Sequence, residues 1–212
     1  MQTENTVLMD KAKESLRGNW GLAIGTFIVF FFIVGSLQVP TIFFPASGLL
    51  ILLITGPMNL GLIIFFLCLA RNEGAQFEQL FFGFRRFGTA LGAYLLVVIF
   101  TFLWSLLLLI PGIIAAFSYS LTFYILADNE NIDPMEAIDK SKAMMYGFKA
   151  KLFRLYLRFF GWALLCILTL GIGFLWLVPW AQVTMAKFYD DVKSDYQLRM
   201  NPSTQGTTEA GI

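Results

Sequence analysis

Histidine is absent from the 212 residues, and charged side chains make up only 14% of them. Without an imidazole there is neither a histidine general base nor a histidine metal ligand. Soluble domains carry about a quarter charged residues, so this content excludes an ordinary water-soluble globule. Lys and Arg number 15 against 14 Asp and Glu, a formal net charge of +1 that gives no whole-chain attraction for nucleic acid. Two cysteines, Cys68 and Cys166, cannot frame a disulfide-dense secreted domain. They lie at different depths of their apolar stretches and read as small apolar packers. What the chain has in quantity is apolar: 58% hydrophobic residues, including 23 Phe and 5 Trp. The length would allow one or two soluble domains, but the composition indicates one membrane-embedded unit.

The placement of charge says more than its amount. Positions 18–70 contain no Asp, Glu, Lys or Arg, a run of 53 residues; 87–127 is a second such run of 41, and 159–186 a third of 28. At about 1.5 Å per residue, about 20 apolar residues cross a hydrocarbon core of roughly 30 Å. The first two runs are long enough for two crossings each. The third suffices if its spans reach from about Leu152 to Tyr189, with Arg154, Arg158 and Lys187 snorkelling to the headgroups.

The basic residues lie at the N-terminus (Lys11, Lys13, Arg17), around Arg71 to Arg86, from Lys140 to Arg158, and from Lys187 to Arg199. If every run is a hairpin, all of them share one face, which the positive-inside rule makes cytoplasmic. The expectation is an all-α polytopic bundle in the cell membrane, with six transmembrane helices in three hairpins and both termini cytoplasmic. The hairpins are 19–70, 87–127 and 152–189 within a domain of 18–192, joined by cytoplasmic connectors 71–86 and 128–151. Turns are expected at Gln38 to Gly48 (with Pro40 and Pro45), at Pro111-Gly112 and at Gly171-Ile172-Gly173. Ile113 to Ala127 spans only about 22 Å at helical rise, so the fourth helix either extends across Pro111-Gly112 or penetrates incompletely.

Outside the spans, 1–17 reads as an interfacial helix, since Met9, Ala12 and Leu16 share a face that would lie on the membrane surface, ending at Gly18-Asn19. It lacks the pattern of a secretory signal. Phe77, Leu80, Phe81 and Phe84 recur at helical spacing and predict an in-plane amphipathic helix. Asp133-Pro134-Met135-Glu136 is a capped helix start, predicting a helix to about Met145 that ends near Gly147. It would have Met135, Ile138 and Met145 on one side and Asp139, Lys140 and Lys142 exposed. That helix is a surface connector or a docking and lipid-binding element. Gly21/Gly25 and Gly88/Gly92 form small-xxx-small pairs that would let helices approach within the bundle or, alternatively, between protomers. Positions 193–212 read as a polar cytoplasmic tail, disordered from Asn201.

Three sets of residues carry candidate chemistry. Gly56-Pro57-Met58-Asn59 with Gly61 would either kink a helix or break it around a substrate site. Ser118, Tyr119, Ser120, Thr122 and Tyr124 make the fourth span the most polar, facing the bundle interior or a path for a neutral or zwitterionic solute. Asp128, with Glu130, Asp133, Glu136 and Asp139, is the one carboxylate group available for acid-base or metal chemistry, yet the spacing matches no Ca²⁺ loop. No cofactor or metal is called for. The candidate binding residues are therefore Gly56, Pro57, Asn59, Ser118, Tyr119, Ser120, Tyr124 and Asp128. No span holds an ionisable Asp, Glu, Lys or Arg away from its ends, which argues against ion-coupled transport.

Several strings carry a family resemblance: Gly18-Asn19-Trp20, Gly56-Pro57 with Gly61, Leu80-Phe81 with Gly83-Phe84, Ile110-Pro111-Gly112-Ile113, Ser118-Tyr119-Ser120, Tyr124 to Asp128, Met144-Met145 with Gly147, Gly161-Trp162, and Thr169 with Gly171-Ile172-Gly173. Over residues 8 to 192 the chain resembles a family of bacterial integral membrane proteins known as domain of unknown function 975. The resemblance implies a multi-pass protein of the bacterial cell membrane and supplies no reaction, ligand or catalytic residue. Ala116 stands where that family frequently has Lys, and Phe148 where it frequently has His. The expectation for function is a non-catalytic structural or assembly partner, whose own partners are the lipid bilayer and other membrane proteins or further copies of itself. The alternatives are a facilitator or channel-like transporter and a membrane-interface enzyme using carboxylates near Asp128.

Overall fold

Uncharged apolar runs fold as helices because in lipid, or in a protein core, only a helix satisfies its own backbone donors and acceptors within one segment. The computed structural model describes residues 3–38, 48–107 and 109–200, and these are all-α. The elements are α1 (Asn5–Leu16), α2 (Trp20–Gln38), α3 (Gly48–Arg71), a 3-10 helix (Phe77–Arg86), α4 (Phe87–Leu107), α5 (Leu109–Tyr119), α6 (Thr122–Asp128), α7 (Pro134–Met144), α8 (Lys149–Leu168) and α9 (Phe174–Met200). The first hairpin tip with Pro40 and Pro45, and the tail from Asn201, lie outside the described residues.

Four stretches among the described residues are helical, long and apolar enough to cross a membrane: Trp20–Leu37, Ile51–Arg71, Phe77–Leu106 and Pro111–Asp128. The remaining two long helices are interrupted by charge. The first half of α8 carries Lys149, Lys151, Arg154 and Arg158, and α9 is charged from Lys187 onward.

Helix α3 is the hub of the fold. The 3-10 helix, α4, α6, α9, α2 and α1 all pack on it. Its seam is made by glycine. A Cβ on Gly61 would lie 1.8 Å from the Leu80 carbonyl oxygen, and one on Gly83 would lie 1.9 Å from that of Pro57, so the two backbones cross where only glycine fits. Gly56 is nearly as close to α4, its would-be Cβ 3.0 Å from the Ala90 carbonyl oxygen.

These contacts correct the reading of the first connector. Gly61 and Pro57 precede Arg71 by 10 and 14 residues, roughly 15 and 21 Å along a helix axis. A segment touching both doubles back along α3 instead of lying free in the membrane plane. Leu80 is buried, while Phe77, Phe81 and Phe84 stay exposed on the outer side.

Other expectations are corrected in the same physical terms. The apolar face of α1 is covered by protein, not lipid. Leu8, Met9, Ala12 and Leu16 are buried, Trp180 Nε1 donates to the Met9 carbonyl at 2.9 Å, and Ser15 Oγ donates to that of Ala70 at 3.2 Å. The helix stops at Gly18, whose φ of +83° is left-handed. Pro111-Gly112 does not divide the second run: α4 ends at Leu107, and both residues sit in the opening turns of α5, where proline is tolerated. The fourth span therefore extends across Pro111-Gly112 and bends at the turn between α5 and α6. Gly21, Gly25 and Gly88 face open space, so inside the chain they are not where helices approach, while Gly92 meets Pro134 at the start of α7. In α7, Asp133 caps the helix by accepting from the Met135 amide at 3.0 Å. Ile138 and Met145 are buried there, but Met135 is exposed, and Ala137, Ser141 and Met144 complete the inward face. Cys68 and Cys166 are both free thiols.

Candidate functional site

The most concentrated polar chemistry lies where α3, α6 and α9 end or turn charged. Arg71, the last residue of α3, forks between two carboxylates. Its Nη1 and Nη2 donate to the two oxygens of Asp128 at 2.7 and 3.0 Å, and Nη2 also meets Asp190 Oδ1 at 2.6 Å. Asp128 closes α6. Besides Arg71 it accepts from Lys193 Nζ at 2.6 Å and from the Tyr189 hydroxyl at 2.9 Å, and its side chain is only 8% exposed. Two cations and two carboxylates make the cluster neutral, and a planar guanidinium matched to a carboxylate is the strongest geometry such a pair can adopt.

A second pair stands beside it. Lys151 Nζ lies 2.6 Å from Asp191 Oδ2, both nearly buried, and the Thr3 hydroxyl and amide donate to the other oxygen of Asp191. Burial pushes the Asp191 carboxyl up, but the Lys151 ammonium and the Thr3 donors outweigh it and hold the group below the ordinary carboxylate value. Asn5 Nδ2 donates to the Lys151 carbonyl at 3.0 Å, tying the start of α1 to the start of α8. Arg86 completes the layer: its guanidinium donates to the Leu126 and Asn129 carbonyls at 2.6 and 2.9 Å, satisfying orphan acceptors at the C-terminal end of α6.

The residues expected from sequence fall in three places. Gly56 and Pro57 form the buried seam of α3, and Asn59 is half-buried on the same helix. Ser118 and Ser120 donate to carbonyls of their own turn, Ile114 and Phe117, both at 2.8 Å, and the Ser118 carbonyl accepts from Ser141 Oγ at 2.7 Å. Tyr119 is buried beside Phe100, their ring centroids 6.2 Å apart. Ser118 and Tyr119 line one cavity of about 430 Å³ with Lys142 and Lys149; Tyr124 and Asp128 come together through Tyr189. Tyr124 stacks on Tyr189 at 5.4 Å, and Tyr189 holds Asp128. The other carboxylates, Glu130, Asp133, Glu136 and Asp139, lie nearer the surface. Among the described residues no group of three or more Cys, Asp or Glu is placed to hold a metal ion.

Arg71, Asp190, Lys193 and Asp191 were missed as partners because their contacts are distant in sequence, Arg71 to Asp190 by 119 residues, Asp128 to Lys193 by 65 and Lys151 to Asp191 by 40. A signal was available: Arg71 and Asp128 bound apolar runs with opposite signs, and Asp190, Asp191 and Lys193 follow closely after Lys187, which bounds the third.

Helices of this apolarity around a small closed ion-pair layer define an all-α protein with several helices compatible with a membrane. The chain belongs to the family described as protein of unknown function DUF975, whose model matches residues 1–115 and 106–196. Neither a curated protein nor a solved structure matches it.

Proposed function

We propose that the protein is a non-catalytic, multi-pass component of the bacterial cell membrane, acting as a structural or assembly partner. In this reading its six apolar stretches form three hairpins, both termini and the connector 128–151 are cytoplasmic, and the connector 71–86 starts on that side while its 3-10 helix folds back along α3. The ion-pair layer is the observation that carries it. Arg71 closes the first hairpin, Asp128 the second, and Lys151, Asp190, Asp191 and Lys193 border the third, and these six residues sit in two adjoining clusters. Odd numbers of crossings would separate them by the thickness of a bilayer.

Further support comes from the turn between α8 and α9. Leu168, Leu170 and Ile172 are 79%, 95% and 62% exposed there, an apolar tip that suits lipid and not water. The Ser118 and Ser120 hydroxyls donate to their own helix, which disfavours the facilitator reading. The four donors on Asp128 occupy the lone pairs that an acid-base role in an interfacial enzyme would need.

Reporter fusions test the topology: those after Ala75, Lys142 and Ser203 are expected to read cytoplasmic, and one after Ser47 external. An external Lys142 fusion overturns the three hairpins. Turnover of a lipid or phosphate ester by purified protein, lost in Asp128→Ala, overturns the non-catalytic assignment.

A further inference from the structure

A groove runs between α1 and the first half of α8. On α8, Lys151, Arg154, Arg158 and Trp162 recur at i, i+3, i+7 and i+11, which places them on one helical face. That face lines two adjoining cavities. One, of about 470 Å³, lies between the start of α1 and Lys151, Arg154 and Arg158. The other, of about 270 Å³, is bounded by Lys13, Arg158, Trp162 and Trp180, so Arg158 belongs to both.

The charges in the groove are unequal. Lys151 is neutralised by Asp191. Lys13, Arg154 and Arg158 take part in none of the ion pairs formed among the described residues, although Glu4 and Asp10 rim the cavities. Lys13 Nζ instead lies 4.5 Å from the centre of the Trp180 ring. Arg158 shares one cavity with Arg154 and the other with Lys13, cations without a carboxylate in contact that repel one another, and an anion seated at Arg158 removes that repulsion. Two arginines one turn apart offer planar forks that match phosphate oxygens.

Below the cations the groove changes character in a fixed order. Trp162 and Trp180 follow, side chains that favour the boundary between headgroup and hydrocarbon. Beyond them Leu165 continues the same face of α8 and Leu168 flanks it, both exposed, while Leu164 and Ile167 make the rest of the helix end aliphatic. Phosphate-binding side chains, then indoles, then aliphatic surface is the order of a phospholipid read from headgroup to acyl chain.

We propose that this groove binds an anionic glycerophospholipid, its phosphodiester between Arg154, Arg158 and Lys13 and its acyl chains along Trp162 and the aliphatic surface of α8. The proposal rests on the membrane placement proposed above, which sets this part of α8 at headgroup height.

The test uses the full chain purified in mild detergent and titrated with phosphatidylglycerol or phosphatidylcholine, with bound lipid read by native mass spectrometry. Phosphatidylglycerol is expected to bind at least about tenfold more tightly, a preference reduced to within about twofold in Arg154→Gln/Arg158→Gln. Lys13→Gln, on a different helix, is expected to lower it about threefold and guards against a folding defect of the double variant. Arg85→Gln/Arg199→Gln removes the same charge away from the groove and is expected to change nothing. Equal binding of the two lipids, or a full preference surviving both groove variants, overturns the proposal. Displacement by inorganic phosphate at concentrations matching the lipid overturns the assignment to a lipid. Release of the chain from membranes by alkaline carbonate overturns the membrane placement itself, whereas a carbonate-resistant chain without lipid preference overturns the groove alone.

Discussion

Trp20–Leu37 in α2 and Ile51–Arg71 in α3 share a mean hydropathy of 2.2, yet 11% of the first and 50% of the second is buried inside the protein. Apolarity does not separate them, because lipid tails are as apolar as leucine and give no reason for one helix to seek another. Two other properties do. Helix α3 presents Gly56 and Gly61 to the backbones of α4 and the 3-10 helix, where a Cβ would be tight at Gly56 and would collide at Gly61; the Gly21 and Gly25 positions of α2 meet nothing within 4 Å. And α3 ends in Arg71, which binds two other helices through their carboxylates, while neither terminal turn of α2 carries a charge. In this fold, close backbone approach and a charged end decide which apolar helix becomes the hub.

The largest effect is expected from Gly61→Ala. Its new methyl group would lie 1.8 Å from a backbone oxygen, which cannot move without displacing the 3-10 helix from α3. The cost belongs at the upper end of overpacking, about 3 kcal/mol or more, read as a fall in the SDS fraction that unfolds the protein in mixed micelles. Gly21→Ala in α2 is expected to stay within about 0.5 kcal/mol. Equal losses in the two variants would erase the distinction between the helices.

A smaller effect, about 2 kcal/mol, is expected from Asp128→Ala. Removing one partner of a fully buried pair costs about 3–5 kcal/mol. Arg71 and Lys193 are 24% and 35% exposed, so water recovers part of that. Asp139→Ala breaks an ion pair too, but Asp139 and Lys142 are 63% and 44% exposed, and the change should lie within about 0.5 kcal/mol. If Asp139→Ala proved the costlier of the two, the ion-pair layer would not be what holds the helix ends together.

The helices, the cap at Asp133 and the turn at Gly171 were legible because each is a local matter of period, capping oxygen or left-handed glycine. The route of residues 77–86 was not. Phe77, Leu80, Phe81 and Phe84 give the same periodicity whether their apolar side meets lipid or another helix, and only the spacing of Gly61 and Gly83 on separate elements marks the crossing. The same ambiguity misassigned α1, whose Met9-Ala12-Leu16 face is apolar for α9 and α3 instead of for a membrane surface. Asp128 was visible as a charge at the end of a span. Its partners were not, because a single sequence does not say which of 15 cations a carboxylate will meet.

The comparison between tied and untied helices can be sharpened by acid, through the pair that fastens α1 and α8 to α9. Asp191 titrates below its ordinary value because Lys151 and Thr3 outweigh its burial. A carboxyl whose pKa is lower in the folded state binds fewer protons there than in the unfolded chain. Its stabilisation is therefore complete above the unfolded value, near 3.9, and is lost as pH falls through the lower folded value. Protonation would also leave the Lys151 ammonium, 8% exposed, without its counter-charge. Wild type is thus expected to lose thermal stability steeply below about pH 4. Asp191→Asn should begin lower at neutral pH and show a shallower acid limb, the difference between the two curves shrinking as pH drops. Other carboxylates contribute to both curves and cancel in that difference. Parallel curves would mean that Asp191 is not held by Lys151, and that α1 owes its place to the burial of Leu8, Ala12 and Leu16 alone.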